Sequence, residues 1–188
     1  MKRPDQSEPT GKLVLDAPAM AKHIEALGQK IIGEFGPECA NLAVVGIQTR
    51  GAHLARRLAA WLTQKTKHEI PVGILDITLY RDDVHTIAEQ PMIKETDLPF
   101  DLEARPIILV DDVLFTGRTI RSAMNAIIDY GRPRCIRLAV LIDRGHRELP
   151  IGPDYTGLVL PTKRDDVVDV NMTEVDGSDN VYLRGGTA

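Results

Sequence analysis

Residues 107–120 read IILVDDVLFTGRTI. Two adjacent carboxylates, Asp111 and Asp112, close an apolar run, and Thr116-Gly117-Arg118-Thr119 follows at once. Neighbouring acids repel, so a chain that sets them side by side gives them something to hold. Hydrogen bonds donated by a vicinal diol, or a metal ion nearby, would relieve the repulsion. The residues that follow stand where a helix should begin. A helix N-terminus offers free backbone N–H groups and the positive end of its dipole. Gly117 permits close backbone approach, and Thr116 and Thr119 add hydroxyl donors, which together make a phosphate cradle. A phosphate at one end and two hydroxyls a few ångströms away describe a ribose 5-phosphate. Neither a Walker A loop nor G-x-G-x-x-G is present. Each piece alone also suits a capped helix beside solvated acids; the apolar strand, acid pair, Thr-Gly-x-Thr run and helix together do not.

The elements that must position these residues follow from hydrophobic spacing. Met20, Ile24, Leu27, Ile31, Ile32 and Phe35 recur at three- and four-residue steps, which predicts a helix over 19–35, stopped by Gly36-Pro37. Residues 42–47 read as a buried strand, Gln48-Thr49-Arg50-Gly51 as a turn and 52–63 as a second helix. Residues 72–80 are β-rich, and 81–101 form a long polar segment with Pro91 and Pro99, of the kind that is functional or mobile. The strand at 106–110 leads to the acid pair, and the helix at 117–130 stops at Gly131. A buried strand at 136–142, a loop over 143–155 and short extended pieces at 157–160, 166–170 and 180–184 complete the chain. Strands alternating with helices imply right-handed crossovers and a parallel sheet. Ligands of such sheets bind at the carboxyl ends of the strands. Loops 48–51, 111–119 and 143–152 should therefore share one rim.

Length and composition set bounds. A chain of 188 residues, 43% hydrophobic and 27% charged, is long enough for one domain with a sizeable core. We expect a loose tail over 1–12 and a single domain over 13–188. No apolar run approaches a membrane span, and the N-terminus shows no secretory h-region. Cys39 and Cys135 are far apart and outside any C-x-x-C, so a reduced, cytoplasmic setting is expected, with Cys135 a buried thiol. A strongly nucleic-acid-binding chain is usually basic, whereas the net charge here is −4, although Arg132, Arg134, Arg137, Arg144 and Arg147 cluster, and acids cluster late, from Asp165 to Asp179.

The stretch ILVDDVLFTGRT resembles the phosphoribosyl-pyrophosphate (PRPP) loop of type I phosphoribosyltransferases. With VGIQTRGAHLARRLA, DITLYRDD and LAVLIDRGHRELPI, the chain from about 13 to about 183 resembles the PyrR family, pyrimidine operon attenuators with uracil phosphoribosyltransferase activity. The resemblance implies an α/β fold of that type: a twisted, mostly parallel sheet flanked by helices, a small hood from the N- and C-terminal pieces, and a flexible flap at about 81–101. It implies the reaction of uracil with PRPP to give UMP and pyrophosphate. Mg²⁺ would arrive on PRPP near Asp111 and Asp112, with no metal site from protein alone.

By the same resemblance, Asp111 and Asp112 would bind the ribose hydroxyls. Phe115, Thr116, Gly117, Arg118 and Thr119 would hold the 5-phosphate, with Val113 and Leu114 also substrate-binding. Thr49, Arg50 and Gly51 match the pyrophosphate loop, which suits an arginine fork and the N–H groups of a tight turn. Arg81 would reach the pyrophosphate from the flap, unless it is a surface arginine paired with Asp82 or Asp83. Arg50, Arg81, Asp111 and Asp112 are thus the catalytic candidates. Arg144 and the segment near Val168 would serve the base, while His146 reads as a loop histidine. Some purine-using relatives carry an acid where this chain has Phe115; a pyrimidine as acidic as uracil tolerates that loss.

A homodimer or higher oligomer is expected by resemblance, and no membrane or DNA partner. RNA stays open as a partner. RNA-binding relatives carry threonine and histidine one turn apart on the first helix, and an arginine later in the chain. Here Glu25, Gln29 and Gly152 stand at those places, and a glutamate facing phosphates is repulsive.

Overall fold

The computed structural model describes residues 11–80 and 96–186. Their elements run β1 (Lys12–Leu15), α1 (Ala17–Phe35), a 3₁₀ turn (Gly36–Asn41), β2 (Ala43–Ile47), α2 (Arg50–Thr66) and β3 (Val72–Leu75). A second 3₁₀ turn (Thr78–Tyr80), β4 (Pro106–Leu114), α3 (Arg118–Tyr130), β5 (Cys135–Asp143) and β6 (Tyr155–Val159) follow. β7 (Val167–Asn171), α4 (Thr173–Asp176) and β8 (Asn180–Arg184) end the chain. Five strands form a parallel sheet in the order β3-β2-β4-β5-β6. A separate antiparallel sheet, β1-β8-β7, makes the hood.

Side-chain alternation divides the core into two layers. Val44, Ile108, Val110 and Leu141 face α1 and α2, with Ile24, Leu27, Leu54 and Leu58. Ala43, Val45, Ile107, Leu109 and Val140 face α3, with Ile120, Ala123 and Ile127. α1 starts cleanly because the Asp16 carboxylate accepts the Ala19 N–H at 2.9 Å. It then packs so closely on α2 that the Trp61 ring occupies the space a side chain at Gly28 would need.

The strand carrying the acid pair is longer than its apolar run. It extends to Leu114, so Asp111 and Asp112 lie within it and not beyond its end. The register explains this. β2 follows β4 only as far as Gly46 opposite Val110. β5 continues alongside, Asp111 opposite Val140 and Leu114 opposite Asp143. The last four residues of β4 are therefore paired on one side and open on the other. The open side is also where the strand order reverses, β3 lying beyond β2 and β5 and β6 beyond β4. Ligand crevices form at such switch points.

Other boundaries move for local reasons. β3 stops at Leu75 because Asp76 turns the chain, its carboxylate accepting the N–H (2.9 Å) and Oγ1–H (2.6 Å) of Thr78. Lys12 already belongs to β1, so the hood begins inside the segment expected as a tail. Most of the expected flap lies outside the described residues, Arg81 included. Its last part is fixed: Asp97 exchanges two backbone hydrogen bonds with Ile74, at 2.7 and 2.9 Å, and Phe100 packs against the α3-side core. Cys39 is buried, whereas Cys135 is only half-buried and both are free thiols. No helix among the described residues is long and apolar enough to cross a membrane.

Candidate active site

The crevice between β2 and β4 is a cleft of about 310 Å³ lined by Gln48, Thr49, Asp76, Thr78, Asp111, Asp112, Val113 and Thr119, among others. Buried Ile107, Ile108, Leu109 and Val110 hold β4 in place beneath it. Each such burial contributes about 1.5–3 kcal/mol, which lets the strand carry two acids at its open end.

Asp111 is buried at 7% exposure, and Asp112 is half-buried. Each carboxylate accepts the next backbone N–H: Asp112 N to Asp111 Oδ1 at 3.0 Å and Val113 N to Asp112 Oδ1 at 2.9 Å. Burial, and then the neighbouring Asp112, push the Asp111 carboxyl well above its ordinary range. Burial raises Asp112 as well, opposed by Asp111, the Val113 N–H and Arg50. The pair therefore resists double ionisation until a ligand supplies donors or positive charge.

The opposite wall is pressed against these acids. A Cβ on Gly51 would stand 2.7 Å from the Val110 carbonyl oxygen and 3.2 Å from Asp111 Oδ1. A Cβ on Gly46 would stand 2.5 Å from the Gly51 oxygen. Two glycines thus bring the first turn of α2 onto the end of β4. The Gln48–Thr49 peptide between them is cis. Arg50 is the first residue of α2, and its guanidinium forks onto Asp176 of the hood, Nε–Oδ2 3.1 Å and Nη2–Oδ1 2.8 Å. That pairing, foremost among its surroundings, raises the Arg50 pKa.

The cradle has the form its residue types predict. Gly117 adopts φ +93°, a left-handed conformation that favours glycine, and is the N-cap of α3. It has no side chain with which to cap the first N–H groups; the Arg118 N–H reaches Thr116 Oγ1 at 3.4 Å, and a helix N-terminus of this kind suits an anion. Thr119 lines the cleft directly. The Arg118 side chain turns outward to Glu148 at 2.8 Å, and Glu148 also pairs with Arg164, so Arg118 brings its backbone to the cradle. Leu114 is buried in the α3-side core, and its carbonyl accepts the Arg144 N–H at 3.1 Å.

Loop 143–151 clamps the cradle from outside. Arg147 donates to the Phe115 carbonyl (2.9 Å) and the Ile151 carbonyl (2.9 Å), and pairs with Asp143 at 2.6 Å. The Thr116 carbonyl accepts the N–H groups of Glu148 (2.9 Å) and Leu149 (3.2 Å). Sequence reasoning missed Arg147, reading it as one of a basic cluster. The available signal was its place on a loop at the carboxyl end of a strand on the same rim. Asp76 and Thr78 were missed too, because their stretch reads as strand.

Arg144 lies over the Phe115 ring at 4.1 Å, buried at 7% exposure. Its Nη2 donates to the carbonyls of Lys163 (2.9 Å) and Arg164 (3.1 Å), so it ties the segment before β7 to the cradle. Burial lowers its pKa. His146 has φ +61°, and its Nε2 is 2.7 Å from the Thr162 carbonyl, a hydrogen-bonded turn residue as expected. Val168 sits on β7 in the hood, opposite Leu183 and packed on the α1–α2 side of the core. Thr49, Gly51, Asp111, Asp112, Val113 and Thr119 are thus brought to one crevice or its wall. Arg50, Arg118 and Arg144 are each engaged with protein groups at its margins.

Among the described residues no group of three or more His, Cys, Asp and Glu side chains forms a protein-only metal cage. The cleft's donors are all oxygens, from two carboxylates on β4 and from Asp76 and Thr78, which suits Mg²⁺ carried in part by a substrate and by water.

The family described as "Phosphoribosyl transferase domain" matches residues 11–176. The chain is 51% identical over 170 residues to the "Bifunctional protein PyrR" of Thermus aquaticus, covering 90% of this chain and 93% of that protein. It is 54% identical over 170 residues to the protein of that name from Deinococcus deserti, covering 90% and 92%. Against that of Ligilactobacillus salivarius the identity is 50% over 175 residues, covering 92% and 98%. Among solved structures, a Trypanosoma cruzi hypoxanthine phosphoribosyl transferase superposes with a TM-score of 0.73 at 12% identity, covering 97% of this chain and 95% of that one. A Staphylococcus aureus hypoxanthine phosphoribosyltransferase gives 0.65 at 18%, covering 93% and 92%. The chain shares the fold of the two enzymes, and its sequence settles the closer kinship: it belongs to the PyrR family of type I phosphoribosyltransferases.

Proposed function

We propose that this chain transfers the 5-phosphoribosyl group of PRPP to uracil, yielding UMP and pyrophosphate. The observation that carries the reading is the meeting of a strand end and two turns at the β2/β4 switch point. The acid pair lies on β4, the Gly117 cradle follows it, and Thr49–Gly51 is pressed against Asp111. In this reading Asp111 and Asp112 accept hydrogen bonds from the two ribose hydroxyls. Thr116–Thr119 hold the 5-phosphate, and Thr49–Gly51 face the diphosphate.

The C1′–oxygen bond to pyrophosphate breaks as the C1′–N1 bond to uracil forms, and the N1 proton departs. Positive charge builds on the ribose and negative charge on the leaving group, so catalysis is chiefly positioning and electrostatics. Mg²⁺ on the diphosphate would serve as Lewis acid and template. The carboxylates below the sugar favour the positive ribose. Phe115, where some purine-using relatives carry an acid, supports a pyrimidine. Backbone groups of the loop beginning at Arg144, and of β7 near Val168, would read the uracil edge. Arg81 and the flap would exclude water over this assembly. Two free thiols fit a reducing compartment such as the cytoplasm, and a dimer or higher oligomer accords with the resemblance. An initial-rate assay with PRPP, Mg²⁺ and a panel of bases tests the reading. UMP formation with uracil preferred supports it, and preference for a purine points to a transferase for another base.

The word "bifunctional" in the relatives' names favours a second reading, a regulator that binds RNA and uses this pocket to sense UMP. Three arginines of the basic cluster are paired, Arg134 with Glu38, Arg137 with Glu34 (2.9 Å) and Asp154 (3.7 Å), and Arg147 with Asp143 (2.6 Å). Glu25 and Gly152 also weaken the case. A gel shift of pyrimidine-operon leader RNA at low salt decides it: a shift strengthened by UMP supports the regulator, and unchanged mobility removes it.

A further inference from the structure

The hood sets three carboxylates, Glu174, Asp176 and Asp179, against α2, and two arginines on one face of that helix answer them. Arg57 takes Glu174 at 2.6 Å and Asp179 at 2.8 Å. Those pairs fasten the hood to the helix whatever the cleft contains. Arg50 takes Asp176 with both arms of its fork, at 3.1 and 2.8 Å. This second pair differs in kind, because its guanidinium is the one the proposed reaction needs at the diphosphate.

A carboxylate and a phosphoryl group present similar pairs of acceptor oxygens to a guanidinium. In this structure the Nε/Nη2 fork of Arg50 is already filled by a carboxylate. Thr49 lines the cleft, whereas Arg50, the next residue, is not on that wall. The two side chains are 37% and 21% exposed, so an incoming anion can reach the pair. Asp176 Oδ2 also accepts the Met172 N–H at 2.9 Å, which holds the carboxylate in place when its partner leaves.

We propose that Asp176 is an internal counter-ion that competes with diphosphate for Arg50. Binding of the diphosphoryl group would exchange one anion for another on the same fork, and departure of pyrophosphate returns Arg50 to Asp176. The inference rests on reading Thr49–Gly51 as the diphosphate turn. The exchange lowers the affinity for diphosphate by the fraction of time Arg50 spends on Asp176. For a pair this exposed that factor is about two to five. It also spares Arg50 from being left bare at product release.

The test is titration calorimetry of magnesium pyrophosphate into the full chain, with no base present. Asp176→Asn removes the charge but keeps an acceptor for Met172; it is expected to bind pyrophosphate about two- to fivefold more tightly. In an Arg50→Ala background the same substitution should give a much smaller change. Asp179→Asn, which takes a charge from the Arg57 pairing and keeps an acceptor for the Thr173 N–H, should leave the affinity as it was. Equal or weaker binding by Asp176→Asn overturns the proposal, as does equal tightening without Arg50. A crystal of the wild-type chain with magnesium pyrophosphate gives an independent check, expected to show Arg50 on the diphosphate and released from Asp176. An intact pair beside bound pyrophosphate overturns it, as does the absence of pyrophosphate binding. Failure of the transferase reading appears separately, as no UMP from uracil and PRPP.

Discussion

Gly51 on α2 and Asp111 on β4 are so close that a methyl group at Gly51 would stand 3.2 Å from the Asp111 carboxylate and 2.7 Å from the Val110 carbonyl. Neither neighbour can yield, because both belong to the buried strand. Gly51→Ala should push the Thr49–Gly51 turn off the acid pair. Displacements near 1 Å cost about a hundredfold where reacting groups must align. We expect kcat/KM for PRPP to fall by about that factor while the chain remains folded. Steady-state kinetics and circular dichroism check this.

Arg147 is the brace of the cradle. Replacing it with methionine keeps much of its bulk but leaves the Phe115 and Ile151 carbonyls without their charged donor and Asp143 without its ion pair, the Gly145 N–H remaining on that carboxylate. The expected loss is about 2–3 kcal/mol, which lowers Tm by about 4–12 °C in a chain of this size. KM for PRPP should rise more than KM for uracil, because the 5-phosphate loop is what loosens. Calorimetry and kinetics measured on one preparation separate the two effects.

Asp111 should weaken the fold at neutral pH. Its carboxyl is pushed up by burial and by Asp112, so the unfolded chain ionises first as pH rises. Folded stability is thus lost between the unfolded pKa, about 3.9, and the raised folded value. Asp111→Asn should therefore have a higher Tm than the wild type at pH 7, with the gap closing toward pH 4, and it should be nearly inactive. A Tm series against pH is the measurement; a gap that widened in acid would contradict the sign. Keeping a destabilising acid for activity is a familiar trade at functional sites.

The legible parts of this molecule are those whose signals are local. The helices appear in three- and four-residue spacing, and Gly117 and the acid pair stand within seven residues of one another on a strand–turn–helix. Two of the hood's strands show as short extended pieces at 166–170 and 180–184, but their assembly with β1 was legible only through the family resemblance, since the sheet draws on both ends of the chain. The clamp from Arg147 to Phe115 spans 32 residues, and the Arg50–Asp176 pair spans 126. No periodicity reports pairs of that separation, so Arg147 read as basic surface and Asp176 as part of a late acidic cluster. The end of β3 was misplaced because a β-branched run outweighs a single aspartate until the turn at Thr78 is seen.

The central claim is that the acid pair and the adjoining cradle hold the ribose phosphate of PRPP for transfer to uracil. The direct measurement is the initial rate of UMP formation from uracil and PRPP with Mg²⁺, on purified wild-type chain and on Asp112→Asn. The account predicts steady turnover by the wild type and a fall of about a hundredfold or more in the variant, with its fold retained. A pure, folded wild-type protein that makes no UMP, or an Asp112→Asn variant that keeps the full rate, would contradict it.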